Sequence, residues 1–283
     1  MSLRSDDVSH PSWLGKPIDA RPLFGPESVS LLDLLRGLRR EEWSRAAVPG
    51  WTVRDLATHI LGDYHGRLGR STESHQRAKG VGETLEAFIH RVNQEWIDLH
   101  ADHRPTELIE ALELAGTQVA RQFEGDDLDA TGLTVSWAGA DPAPKWLDIA
   151  REFTEYWTHR QQIRHATGQD TDLEFHALST VLDTFMRALP HTLRHTAAPA
   201  GTQLQMVIVE PPVGTWTVTA TADRWSLAEE PRGRPTASVM LDAETAWRLC
   251  TRGIDPGTAL ARARISGARQ IAEAACQIVS VVH

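Results

Sequence analysis

The sequence has few cysteines, no long apolar run and no apolar segment among its first residues, and each of these features argues against one class of protein. Its 283 residues include two cysteines, Cys250 and Cys276, without CxxC spacing. We interpret them as small, buried, reduced thiols rather than a disulfide framework. No run of about 18 apolar residues occurs, so we expect no membrane span. The first residues, MSLRSDDVSHPSW, lack a signal-like apolar segment. Together these absences predict a cytoplasmic protein.

Basic residues are also scarce and scattered. The net charge is −9, and only three of the 29 basic residues are lysines. Binding to nucleic acid depends on clustered Lys and Arg that release counterions from phosphates. No such cluster is found, so nucleic acid is excluded as an expected partner.

Apolar residues recur at helical spacing through most of the first 190 residues. Five predicted helices cover residues 27–38, 83–99, 105–124, 145–167 and 173–189, and another begins at Thr52. Residues 39–50 are interpreted as a turn-like connection, and residues 125–144 as a long loop that either covers a pocket or is a surface excursion. Helices joined in this way predict an up-and-down bundle.

The pattern changes after about residue 200. Alternating Val, Thr and Trp predict strands at 204–210, 215–221 and 224–230, with 237–242 as a fourth candidate. Helices are predicted at 243–253 and 267–279. The predicted fold class is therefore multi-domain, with a helical bundle over residues 1–195 and a small α+β domain over residues 201–283.

Glu155 and His159 are the first candidates for a functional site. Four residues apart on a helix, they lie on one face about one turn from each other and can bind one cation together. His59, on the inward face of the helix that begins at Thr52, is a candidate third ligand. Two histidines, a glutamate and a water form a known catalytic zinc set. The same spacing occurs at 86/90 and 191/195, so spacing alone also fits a surface ion pair.

Two longer motifs resemble a known family. Residues 49–55, PGWTVRD, lead into a helix with His59, and residues 152–168, EFTEYWTHRQQIRHATG, carry Glu155 and His159. Both are similar to motifs of the mycothiol-dependent maleylpyruvate isomerase family, in the same order. The second motif also matches at Ile163, Ala166 and Gly168.

The resemblance implies a DinB-like bundle that binds one divalent metal through His59, Glu155 and His159. Zinc is the expected metal, with nickel as the alternative. The family uses mycothiol, a low-molecular-weight thiol, as cofactor. The implied activity is isomerisation of a maleylpyruvate-like small molecule, or thiol S-transfer to an electrophile. The C-terminal segment resembles the family's sterol-carrier-like domain. A non-catalytic metal- or lipid-binding module is the alternative, and a monomer or homodimer is expected.

Other residues are candidates to support the metal ligands, to bind substrate or to line the site. At the position of Gln162, the family motif often has Asp. A glutamine side chain cannot act as a base, and it lacks the negative charge that would support a ligand histidine. Asp63, one turn after His59, is a candidate for such support. Arg151 and Arg160 flank the second motif and are candidates to bind a substrate carboxylate, and Trp137 is a candidate wall residue.

Overall fold

The computed structural model describes residues 11–69, 79–80 and 82–281, apart from the side chains of residues 85 and 86. It divides into two compact units. Of the described residues, one unit comprises those in the ranges 20–126 and 152–177, and the other comprises residues 11–19, 127–151 and 178–281. We call them the helical unit and the sheet unit.

Helices and one small hairpin build the helical unit. Its elements are α1 (Phe24–Arg36), β1 (Ala46–Val48), β2 (Trp51–Thr52), α2 (Val53–Arg67), α3 (Leu85–Leu99), α4 (Pro105–Glu124) and the larger part of α5 (Lys145–Ala166). Helices α1 and α2 both pack against α4, and α3 packs against α2. Pro105 occupies the first turn of α4, where its missing N–H costs nothing.

The start of α2 is fixed by two local features. Gly50, at a φ of +86°, makes the tight turn between β1 and β2, which a residue with a side chain would adopt only with strain. Thr52 then caps the helix: its side chain accepts from the Asp55 N–H, and the Asp55 carboxylate accepts from the Thr52 N–H. The hairpin replaces part of the turn-like connection predicted for residues 39–50.

Aromatic side chains fill the core of the helical unit. The ring of Phe24 lies 4.6 Å from that of Phe123 and 5.6 Å from that of Phe153, and Tyr64 meets Tyr156 edge to face at 4.7 Å. All five side chains are at most 3% exposed. Such tilted ring pairs add packing energy beyond the area that they bury. This core holds α2 and α5 together.

The sheet unit contains a five-stranded sheet with the order β5-β4-β3-β6-β7. Its elements are α6 (Phe175–Met186, shared with the helical unit), α7 (Leu189–Thr192), β3 (Gln203–Val209), β4 (Pro212–Ala220), β5 (Trp225–Ser226), β6 (Ala237–Leu241), α8 (Ala243–Cys250), α9 (Pro256–Arg262), β7 (Arg264–Gly267) and α10 (Arg269–Ala275). Strands β3 and β6 are parallel, and the other pairs are antiparallel.

The predicted fold class is confirmed: a helical N-terminal part is followed by a sheet-containing C-terminal part. Two predicted elements are present but shorter. The strand predicted at 224–230 covers only Trp225–Ser226, because the next N–H, that of Leu227, donates to the carbonyl of Trp13 instead of a neighbouring strand, and the helix predicted at 267–279 covers only Arg269–Ala275. Strand β7 and helix α9 were not predicted. The division into domains at residues 195–201 stays a prediction.

The long loop at residues 125–144 has its own structure. Isolated bridges pair Thr131 with Pro144 and Val135 with Ala140, and Trp137 is buried within the sheet unit. Across the described ranges, none of the helices is both long and apolar enough to span a bilayer.

Candidate metal centre

Helices α2 and α5 bring the two predicted histidine ligands together. His59 lies on the buried face of α2 and is 8% exposed, and its neighbour Ile60 is fully buried. The ring of His59 meets the ring of His159, on α5, edge to face with centroids 4.9 Å apart. Residues 100 positions apart in the sequence thus lie side by side in the helical unit.

Each histidine has an acidic residue one turn away on its own helix. Asp63 follows His59, and Glu155 precedes His159. Asp63 Oδ2 lies 3.4 Å from His59 Nε2, and Glu155 Oε2 lies 3.7 Å from His159 Nε2. Ligand atoms about 2 Å from a tetrahedral zinc ion are roughly 3.4 Å from each other. Both acid–histidine distances are therefore close to those of ligands that share one cation.

Asp63 groups with the two histidines as a further candidate ligand. One ligand atom each from His59, Asp63 and His159 lie within 4.8 Å of one another. The sequence predicts a supporting role for Asp63 instead. Its four-residue distance from His59 mirrors the distance between Glu155 and His159, and that symmetry was the signal available in the sequence. Metal binding by His59, Glu155 and His159 stays a prediction.

The second nitrogen of His159 is held by its neighbour. His159 Nδ1 lies 2.8 Å from Gln162 Oε1, which only accepts hydrogen bonds, so Nδ1 carries the proton. The lone pair is then on Nε2, the nitrogen that faces Glu155. Gln162 therefore fixes the orientation of the His159 ring, as a carboxylate would, but without a charge.

His59 is kept neutral by its surroundings. Burial lowers its pKa to about 4, although the negative charge of Glu152 acts in the opposite direction. The indole ring of Trp51 lies against His59 with centroids 5.0 Å apart, and its N–H donates to Gln94 Oε1 over 2.9 Å. A neutral imidazole is the form that binds metals, so His59 is ready as a ligand at neutral pH.

The sequence also offers two arginines and two further pairs with four-residue spacing as candidates. The carboxylates of Glu27 and Asp172 hold Arg160, which is 3% exposed, so this guanidinium is a core ion-pair partner rather than a group for substrate. Arg151 Nη2 lies 3.2 Å from Asp148. Of the other pairs with four-residue spacing, the Glu86 side chain lies outside the described residues, and the pair at 191/195 belongs to the sheet unit.

Comparisons with known proteins give a family for this region. Residues 24–164 match the sequence model of the mycothiol maleylpyruvate isomerase N-terminal domain. This range contains α1 to α4, nearly all of α5, and all four residues of the candidate centre. No curated protein matches the chain at a significant level.

Two crystal structures are similar at low sequence identity. One is the mycothiol-dependent maleylpyruvate isomerase, at 14% identity and a TM-score of 0.45, and the other is a mutant of it, at 13% and 0.44. Each alignment covers 81% of this chain and 86% of the other chain. Through the match at residues 24–164, the chain belongs to the family of the mycothiol maleylpyruvate isomerase N-terminal domain.

Proposed function

We propose that the protein binds one divalent metal ion through His59, Glu155 and His159 and uses it to activate mycothiol for reaction with a small electrophile. The observation that carries this proposal is the meeting of two largely buried imidazoles from α2 and α5, each with a carboxylate oxygen within 4 Å. Family membership supports the thiol as co-substrate.

The donor set suits zinc, with nickel as the alternative. Two imidazole nitrogens and one carboxylate oxygen leave a coordination position open for a further ligand. In this proposal Asp63, whose Oδ2 lies 3.4 Å from His59 Nε2, is the supporting acid and accepts a hydrogen bond from the molecule in the open position. His59 is uncharged because it is buried, and Gln162 keeps the proton of His159 on Nδ1.

A bound divalent cation would lower the pKa of a thiol coordinated to it, so that the nucleophilic thiolate is present at neutral pH. The chain's own thiols are unsuited to this role. Burial raises the pKa of Cys250 to about 12 and that of Cys276 to about 11, and both side chains are fully buried. The nucleophile must therefore be a thiol that binds from solution.

The first candidate reaction is cis–trans isomerisation of an unsaturated keto acid. The thiolate sulfur forms a bond to one alkene carbon, and the π electron pair moves into the conjugated carbonyl. After rotation about the new single bond, the C–S bond breaks and the double bond re-forms, so the thiol is regenerated. The family name supports this reaction.

The second candidate is S-transfer, in which the sulfur forms a stable bond to an electrophile and the thiol proton leaves with the displaced group. Gln162 favours this candidate, since an amide cannot relay a proton as the acid often present in the resembled motif can. Transfer to a reactive electrophile needs only the thiolate.

Elemental analysis of the purified protein tests the metal site. We expect about one zinc or nickel ion per chain, which His59→Ala and His159→Ala each remove while the far-ultraviolet circular dichroism stays unchanged. The matched control is His176→Ala, which replaces an exposed histidine of the helical unit. Full metal content in both ligand variants would contradict the proposed site.

Assays with mycothiol then separate the candidate reactions. Loss of the maleylpyruvate absorbance with formation of its trans isomer identifies isomerisation, and a mycothiol conjugate of monochlorobimane identifies S-transfer. We expect either activity to fall at least 100-fold in His59→Ala. Metal binding without turnover in both assays would favour the non-catalytic alternative.

A further inference from the structure

A second contact joins α2 and α5 at some distance from the histidines. Arg67 Nη2 lies 2.5 Å from Glu152 Oε2, and the two side chains are 11% and 6% exposed. The other oxygen of Glu152 accepts a hydrogen bond of 2.7 Å from the hydroxyl of Tyr156, which is itself buried. Both oxygens of the carboxylate are thus fixed, one by each helix.

The ion pair belongs to the same two helix faces as the candidate ligands. On α2, Arg67 follows His59 by two steps of four residues, with Asp63 between them. On α5, Glu152 precedes Glu155 by three residues and His159 by seven. His59 meets His159 and Arg67 meets Glu152, so the two faces are antiparallel. At 1.5 Å per residue the two contacts are roughly 10–12 Å apart along the helices.

We infer that Arg67 and Glu152 are positioning residues of the metal centre, whose ion pair fixes the spacing and rotation of α2 against α5. This inference rests on the proposed metal site. Ligand atoms must lie within about 0.2 Å of their ideal distances from a metal. Contacts at two separate points along α2 and α5 restrict the rotation of one helix against the other far more than a single contact does.

The surrounding apolar packing does not supply this constraint by itself. The Tyr64–Tyr156 rings between the two contact points meet edge to face, an arrangement that aromatic pairs adopt over a wide range of centroid distances, about 4.5–7 Å. The hydrogen-bonded ion pair is directional, since a guanidinium presents its donors in a fixed planar fork. A buried ion pair adds little net stability compared with apolar residues of similar size, so a role in geometry accounts for it better than stability does.

The chain also offers a matched control on the same helix. Arg160, on α5, forms an ion pair with Glu27, on α1, at 2.6 Å, and both side chains are 4% exposed. This pair is at least as buried as the Arg67–Glu152 pair, but it does not involve α2. Its loss should destabilise the helical unit without changing the spacing between α2 and α5.

Cobalt(II) titration of the full chain, followed by visible absorption, tests the inference. We expect Arg67→Met and Glu152→Gln to weaken Co²⁺ binding at least tenfold and to change the d–d bands, in line with the effect of supporting residues on other metal sites. Glu27→Gln and Arg160→Met should lower the melting temperature but keep the affinity and spectrum of the wild-type protein. Glu152→Gln is isosteric and gives the same readout if Arg67→Met does not fold.

The outcomes distinguish this inference from the proposed function. Wild-type affinity and bands in both Arg67→Met and Glu152→Gln would overturn the positioning role and leave the metal site intact. Equal changes in the Glu27 and Arg160 variants would also overturn it, because any loss of core stability would then have the same effect. A wild-type protein that binds no Co²⁺ would overturn both.

Discussion

His159 donates a hydrogen bond from Nδ1 to Gln162 Oε1 over 2.8 Å, within one turn of α5. The resembled family motif often has Asp at this position, and the amide of Gln162 accepts the hydrogen bond that a carboxylate would accept. The amide oxygen fixes the imidazole tautomer and orientation. It does not add the negative charge that would make Nε2 a stronger donor to a metal.

Substitutions of Gln162 should therefore change the metal affinity in both directions. Gln162→Asp should tighten zinc binding about tenfold by raising the basicity of His159, and Gln162→Leu should weaken it about tenfold by removing the acceptor. Competition with a chromophoric chelator measures both affinities. An equal loss in the two variants would mean that the shape of the amide, and not its acceptor oxygen, matters.

The two carboxylates of the centre can be ranked by a pair of isosteric variants. We expect Glu155→Gln to reduce zinc affinity about 100-fold, since it removes a proposed ligand, and Asp63→Asn to reduce it about tenfold, since it removes a supporting acid. Asp33→Asn, at a residue that is 72% exposed on α1, is the control. The opposite order would make Asp63 the third ligand, as its closer grouping with the two histidines suggests.

Much of the helical unit and of the site was predictable because the signals are local. The Thr52–Asp55 capping box and the apolar spacing of α2 placed His59 on an inward face. The four-residue spacing of Glu155 and His159 placed both side chains on one face of α5. Periodicity and caps act over one or two turns, so they can be seen in the sequence itself.

The features that were missed depend on contacts between distant parts of the chain. The pairing of Arg67 with Glu152 joins residues 85 positions apart, and nothing in either motif singles them out among 26 arginines. The position of Arg160 beside the motif suggests substrate binding, but the distant Glu27 holds its side chain in the core. Strand β7 has four residues and an exposed edge pattern, which periodicity does not resolve.

The buried cysteines predict a native protein that is inert toward thiol reagents. At pH 7.5 we expect no reaction of Cys250 or Cys276 with Ellman's reagent within minutes, because burial suppresses both access and the thiolate form, and two equivalents after unfolding. Cys250→Ala and Cys276→Ala should each change kcat/KM with mycothiol less than twofold when assayed on folded protein. A complete loss of activity in either folded variant would show that the chain supplies the nucleophile.

The buried His59 predicts a specific acid sensitivity of the metal-free protein. Its pKa is about 4 when folded, against about 6.5 in an unfolded chain, so the unfolded state binds more protons between these values. The free energy of unfolding should therefore fall as the pH drops from 6.5 to 4, by about 3 kcal/mol from this residue. Urea unfolding in EDTA from pH 7.5 to 4.5 measures the slope, which His59→Asn should reduce and His176→Ala should leave unchanged. The same slope in His59→Asn as in the wild type would assign the acid sensitivity to other groups, and a nuclear magnetic resonance titration of His59 with a midpoint near 6.5 would show that its imidazole is not desolvated.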